Sequence, residues 1–356
     1  MTPGASTRAR CWASAFVSSV LLTLPVTAHG AVAFIYHHFG QPDLPSTNVR
    51  VEQFEAQLDH LEEAGYQVWS LARVVAAVTA GEALPERVVS ITADDAYRSV
   101  YQVAWPRLRE RNWPLTVFVP TDPVDDGVAA YMSWEQMREL AAQGVEFANH
   151  SASHDHLLRR TGESAAQWRE RVRTDLERAG RRLQVELGAE ALASPQLLAY
   201  PFGEFSVELA ALARELGYVG VGQQSGAIGS GVDLRALPRY PVNERYGDLD
   251  SFRVKAASLP LPVVAARPWD PVRRDGQAPA LELDLGPGPA DLAHLACYWG
   301  SERLALERLG ERAFRTAAAG ALEGRRGRYN CTAPGPDGRY FWYSHLWIDP
   351  SRRESL

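Results

Sequence analysis

Basic charge is not in excess in this 356-residue chain: 37 Lys and Arg stand against 43 Asp and Glu, for a formal net charge of −6. With no basic stripe, nucleic acid is excluded as the main partner, because phosphate binding needs such a field. Clusters such as Arg159-Arg160 and Arg325-Arg326 read as solvated faces. Cysteine is scarce, three in all, and its spacing offers no thiolate metal motif. Long apolar runs are missing too. The one from about Trp12 to Val26 is short for a membrane span, and no internal repeat stands out.

That apolar run follows Arg8 and Arg10 and precedes the small residues Ala28, Gly30 and Ala31, which is the layout of a secretory signal peptide. Cleavage after Ala28 or Gly30 would send residues from about 31 onward to the periplasm or the medium. Retention of the segment would instead leave the chain anchored at, or peripheral to, a membrane. Cleavage would also remove Cys11. The remaining pair, Cys297 and Cys331, lies in two strand-like segments and predicts one disulfide in an oxidising compartment, the alternative being two separate buried thiols.

What the sequence does contain is concentrated at strand ends. Val88–Ala93 is an apolar run that ends directly in Asp94-Asp95. Two adjacent carboxylates repel unless a cation or proton lies between them, so the pair suggests a metal site with a base beside it. The alternative is a solvated acidic turn capping a helix that begins near Tyr97. A second apolar strand, Val145–Ala148, runs into Asn149-His150-Ser151-Ala152-Ser153-His154-Asp155-His156. This places three of the chain's nine histidines within seven residues. His150 and His154, four apart, would meet on one face of a helical turn and hold one metal ion, with His156 as a competitor.

Helical and strand patterns alternate over the first 250 or so residues. Helices are predicted over residues 53–64, 100–111, 134–143, 168–187 and 207–216, and strands over 32–36, 66–70, 116–120, 145–148, 197–200 and 218–221. The order implies an α/β fold with a parallel sheet, and chemistry at the strand ends points to a distorted (β/α) barrel with its site on the carboxyl rim. After Pro260 the pattern changes to proline-rich turns and alternating strands such as Leu281–Leu285 and Tyr340–Ile348. The expected division is a signal segment over 1–30, a barrel over 31–260 and a small β-sandwich-like accessory domain over 261–356. Its aromatic residues would fill a core or stack on sugars.

In these segments the chain resembles the polysaccharide deacetylases, the NodB-type fold of carbohydrate esterase family 4. The family's Thr-Phe-Asp-Asp-Gly motif is matched by Thr92-Ala93-Asp94-Asp95-Ala96, its His-Ser/Thr-x-x-His by His150-Ser151-Ala152-Ser153-His154, and its Arg-x-Pro-Tyr-Gly by Ala199-Tyr200-Pro201-Phe202-Gly203. The resemblance covers roughly residues 32–260. Its late Leu-x-x-His element is missing. The opening strand, which leads into His37-His38, resembles the rearranged order of poly-N-acetylglucosamine deacetylases.

The resemblance implies a divalent metal, most simply Zn2+, on Asp95, His150 and His154, with Asp94 as general base and His37, or its competitor His38, as general acid. It further implies an acetylated polysaccharide as substrate, with Tyr97, Tyr200, Pro201, Phe202 and Gly203 at the substrate or oxyanion and the Phe202 N–H as oxyanion donor. The family arginine that orients the base is replaced by Ala199. Either Arg239 stands in for it from another strand or Asp94 acts without such a partner. The leading reading is a metal-dependent N-deacetylase. A glycan-binding protein with weak or no turnover and an O-acetyl esterase are the alternatives.

Overall fold

The computed structural model describes Met1 and residues 29–273, 279–320 and 324–353. Arg8, Arg10, Cys11 and the expected signal segment through Ala28 lie outside the described residues. Among the described residues, no helix is long and apolar enough to cross a membrane.

Two fully buried strands, β1 (Ala31–Tyr36) and β2 (Val88–Ala93), lie side by side in parallel. Their nearly unbroken apolar sequences suit strands covered on both faces. The sheet continues in parallel through β3 (Thr116–Val119), β4 (Glu146–Asn149), β5 (Leu197–Ala199) and β6 (Val219–Val221). Its two edges are then bridged by one short stretch of chain. Leu237 bridges Val221 of β6, and three residues on, β7 (Tyr240–Pro241) pairs with Phe34 and Ile35 of β1. This stretch curls the sheet into a distorted barrel and carries Arg239 between the two contacts.

Helices cover the outside where the apolar periodicity places them: α1 (Val51–Glu63), α2 (Leu71–Thr79), α3 (Trp105–Glu110), α4 (Trp134–Ala141), α5 (Ala165–Leu187), α6 (Val207–Glu215) and α7 (Leu249–Ala256). Ser133 and Ser164 start α4 and α5 with capping boxes closed by Gln136 and Gln167. The helix predicted over 100–111 differs from expectation. It opens as a widened π turn, Val100–Ala104, before α3 begins. Pro106 has no N–H to continue the ordinary ladder, and Trp105 donates instead to the Val100 carbonyl.

Beyond α7 the chain forms two sheets. One contains β8 (Val263–Arg267), β9 (Leu281–Leu285), β11 (Leu306–Arg308) and β12 (Ala313–Thr316). The other contains β10 (Ala296–Trp299), β13 (Arg326–Pro334) and β14 (Tyr340–Ile348), with short strands at its edges. Leu281, Leu283 and Leu285 from the first share a core with Cys297, Tyr329, Cys331 and Trp347 from the second. Cys297 and Cys331 face one another across β10 and β13 and are joined by a disulfide. Of the aromatic residues of β14, Phe341 and Trp347 are buried, Trp342 and Tyr343 half-buried and Tyr340 exposed, while Leu346 and Ile348 pack against Leu198 and Tyr200 of the barrel. The β-rich region is thus packed on the barrel side that carries the Tyr200–Gly203 segment.

Candidate metal centre and catalytic rim

Asp94 and Asp95 leave β2 at the carboxyl rim and are buried, so the solvated-turn reading fails. Asp95 (φ 69°) and Ala96 (φ 55°) both adopt the left-handed region. L-residues enter it at a cost, and here it folds the chain back on itself immediately after the strand. The Asp95 carboxylate thereby meets two imidazoles: its Oδ1 lies 3.0 Å from His154 Nε2 and 3.4 Å from His150 Nε2.

The His150–His154 segment is not the helical turn that its spacing suggested. Ser151 (φ 65°) and His154 (φ 52°) are left-handed. Side chains rather than helical hydrogen bonds satisfy the loop. The Ser151 N–H donates to Asn149 Oδ1, the Ala152 and Ser153 N–H groups donate to the Asp175 carboxylate, and the His154 N–H donates to Ser151 Oγ. Short polar side chains competing for backbone N–H groups displace the helix, yet the loop still converges the two rings.

The donor atoms of Asp95, His150 and His154 all lie within 4.8 Å of one another. His150 Nδ1 is 2.8 Å from the Ala199 carbonyl, which requires an N–H there. Burial lowers the imidazole but Asp94 and Asp95 raise it when no metal is bound, whereas the neutral ring that a metal needs presents its Nε2 lone pair toward Asp95. A lone pair aimed at a carboxylate is repulsive unless a cation lies between. Consistently, Asp95 Oδ1 is a buried oxygen that, beyond its close approach to the two imidazole nitrogens, has no well-formed hydrogen bond among the described residues. Burial alone would raise the Asp95 carboxyl, but the adjacent imidazoles hold it well below the usual carboxylate range. This donor set fits one divalent cation.

Asp94 points to a different partner. Arg239 Nη1 donates to its Oδ1 at 2.6 Å and Nη2 to its Oδ2 at 2.8 Å, with both residues fully buried. Arg239 is itself fixed by Thr92 Oγ1 and the Gly222 carbonyl. The open question at Ala199 therefore has a structural answer: the guanidinium arrives from the barrel-closing segment, while the Ala199 carbonyl orients His150. Burial pushes the Asp94 carboxyl up, and Arg239 followed by His150 overrides this and lowers it.

His37 follows β1 into the same rim. Burial lowers its imidazole below the ordinary value, opposed by the charges of Asp95 and Asp94, while Arg239 and His150 add to the lowering. His38 takes another direction and stacks on the Tyr97 ring at a centroid distance of 3.7 Å. Burial, assisted by His37, pushes it down to about 4. Tyr97 contacts Tyr131 (centroids 5.0 Å apart), and burial followed by the Asp95 charge raises its phenol. Tyr131, which lies in no recognisable sequence motif, thus joins the rim.

In the third segment the five residues do different things. Tyr200 is turned away: it is fully buried against Phe205, and its hydroxyl donates to the Arg235 carbonyl at 2.8 Å. Its expected contact with substrate is therefore withdrawn. Pro201 and Gly203 are also buried and shape the turn. Phe202 (φ 59°) and Gly203 (φ 69°) are both left-handed, and a Cβ at Gly203 would lie 2.8 Å from the Gln223 side chain. The Phe202 ring is placed against His154 and stacks on His156, at centroid distances of 4.8 and 4.3 Å. Its N–H is bonded to no carbonyl among the described residues.

His156 does not join the metal donors. Its Nδ1 is 2.9 Å from Oε2 of Glu204, which is 1% exposed and also receives Arg325 at 2.5 and 2.8 Å. Arg325 is consequently buried rather than part of a solvated face, and Arg326 donates to the Phe202 carbonyl. Two arginines from the β-rich region thus grip the Phe202 turn. Nothing local in the sequence signals this link, which spans 121 residues.

The polysaccharide deacetylase family model matches residues 81–221. The poly-β-1,6-N-acetyl-D-glucosamine N-deacetylase of Escherichia coli is 27% identical over 258 residues, covering 62% of this chain and 38% of that protein. The chain thus spans well under half the length of that relative. Among solved structures, the Streptococcus pyogenes deacetylase PplD in complex with acetate has a TM-score of 0.55 at 24% identity, covering 64% of this chain and 99% of that one. IcaB from Ammonifex degensii has a TM-score of 0.54, also at 24% identity, covering 64% and 97%. Those likenesses show a fold of the NodB type, and the family match locates a polysaccharide deacetylase domain at residues 81–221.

Proposed function

We propose that this protein is an extracytoplasmic, metal-dependent polysaccharide N-deacetylase that hydrolyses the acetamide of an N-acetylated glycan. The observation that carries the reading is the pairing, on one rim, of the Asp95-His150-His154 donor set with an Asp94 carboxylate held by Arg239. Export is supported by the Arg8–Ala31 sequence layout and by the Cys297–Cys331 disulfide, which suits an oxidising compartment.

A divalent ion, for which zinc suits two imidazoles and a carboxylate, would polarise the acetyl carbonyl and acidify a water. Asp94, kept ionised by Arg239, would take the proton from the attacking water. The Phe202 N–H would donate to the oxyanion, a contribution of about 3 kcal/mol for one such donor. His37 would deliver a proton to the leaving nitrogen, and cleavage of the C–N bond would yield acetate and a free sugar amine.

The direct test is metal content and acetate release from purified protein on N-acetylated glycans. About one divalent ion per chain is expected. His150→Ala and His154→Ala should each lower metal content and turnover together, and undiminished metal in both variants would sink the centre. Release from O-acetylated but not N-acetylated glycans would turn the reading toward an esterase.

The two opening histidines are separable by the same assay. His37→Ala should retain metal and lose about 100-fold or more in rate, as expected for removal of a proton donor. His38→Ala should lose much less, because its ring is committed to Tyr97. A larger loss at His38 would transfer the acid role to it.

A further inference from the structure

Beside the catalytic rim lies a second cavity of about 320 Å³, whose shared wall is Phe202 and Gly203. Its far wall comes from Arg328 of β13, Gln223 just after β6 and Tyr246 in the chain after β7. Three arginines line it, and among the described residues no carboxylate does. Arg325 is committed to Glu204, and Arg326 reaches the Phe202 carbonyl. Arg328 differs. It donates once from Nη1 to the Gln223 carbonyl at 2.8 Å and forms no ion pair among the described residues.

The neighbouring acids are engaged elsewhere. Asp248 caps α7 by accepting the Ser251 N–H, and Glu244 binds Asn48 and faces Arg50. Burial lowers Arg328 from its ordinary value, opposed by Tyr246 and assisted by Arg326. Lys255, which donates to the Tyr246 carbonyl, is pushed down to about 8, mainly by burial. Arg328 is half-buried and meets no carboxylate among the described residues, and a partly desolvated guanidinium without a counter-charge is relieved when an anion enters. The Gln223 side chain also lines the cavity, and Tyr246, 45% exposed at its edge with Arg245 and Lys255 at 5.4 and 5.8 Å from its ring centroid, offers an aromatic edge or open face to a sugar.

We propose that this cavity is a glycan subsite for a carboxylate-bearing sugar, with Arg328 gripping the carboxylate and Tyr246 supporting the ring. Its place one side chain away from His154 makes that acidic sugar a near neighbour of the sugar that is deacetylated. The inference rests on the deacetylase reading for its biological meaning, while carboxylate binding itself does not need turnover. A planar, singly charged carboxylate matches the guanidinium fork.

The test uses the full chain, treated with chelator to prevent turnover. It is titrated with an oligosaccharide alternating N-acetylglucosamine and glucuronate, and with the same oligosaccharide after its carboxyls are reduced to alcohols. The acidic form should bind about tenfold tighter at low salt. Arg328→Met should remove the preference, and Arg328→Lys should keep part of it. Equal affinity of the unaltered protein for the two forms overturns the subsite, with no variant needed, and so does a preference that survives Arg328→Met. Acetate release from the carboxyl-reduced oligosaccharide by metal-loaded protein tests the deacetylase separately. Turnover without acid preference removes the subsite alone, and acid preference without turnover removes the deacetylase alone.

Discussion

Replacing Asp94 by Asn is expected to lower turnover about 10³-fold while bound metal stays near the level of the unaltered protein, whereas Asp95→Asn should lose both. The two acids are adjacent but face different partners. Asp95 Oδ1 lies within 3.4 Å of both histidine nitrogens, while Asp94 Oδ2 is 3.9 Å from His150 Nε2 and is bound by Arg239. Each carboxylate oxygen has two lone pairs, so the Arg239 fork leaves acceptor capacity on Asp94 for a water proton. An asparagine keeps the shape but cannot take that proton. Metal analysis and acetate release on the same preparations decide the matter. Metal lost with Asp94→Asn and kept with Asp95→Asn would exchange the two roles.

Much of the barrel was legible because parallel strands buried on both faces leave nearly continuous apolar runs, as in β1 and β2, each ending abruptly where the chemistry starts. Periodicity placed α1, α4, α5 and α6 within a few residues. It could not reveal the π turn before α3, where Pro106 decides the hydrogen bonding, or the loop at 150–154, where side-chain oxygens take the backbone N–H groups. The i, i+4 spacing brought the two histidines into one hypothesis for the wrong geometric reason. They converge because two residues in that loop are left-handed.

Side-chain direction was the least legible property. Tyr200 looked like a rim residue from its position after β5, yet the Phe202 turn sends Tyr200 inward and leaves only its neighbour facing His154. Arg325 looked solvated because it stands in a short arginine cluster. Its burial depends on Glu204, 121 residues earlier in the chain. That contact also connects the β-rich region to chemistry: Glu204 lies two residues after Phe202, so the β13 end and the proposed oxyanion donor share one rigid support. Burial would raise the Glu204 carboxyl, but His156 and Arg325 hold it low, which keeps the support charged at neutral pH.

Arg239→Met is expected to destabilise the protein by about 3–5 kcal/mol, because it leaves the Asp94 carboxylate buried without its counter-charge. A fall in Tm on the order of 10 °C should accompany it. Arg239→Lys should be milder in stability yet still poor in rate, since one ammonium cannot bind both Asp94 oxygens while also serving Thr92 and Gly222. The pH dependence has a definite sign. With Arg239 present the Asp94 carboxyl is lowered, so its ionised form contributes stability above the unfolded carboxylate range and loses it as pH falls through the lower folded value. Without the guanidinium, burial dominates and raises the carboxyl. The acid limbs of stability and kcat/KM should both move to higher pH in Arg239→Met. Pairing Asp94→Asn with Arg239→Met gives the decisive measurement, because removing both charges should cost less stability than the sum of the two single changes. Strict additivity would show that Arg239 does not support the base, and the acid-limb shift should then be absent as well.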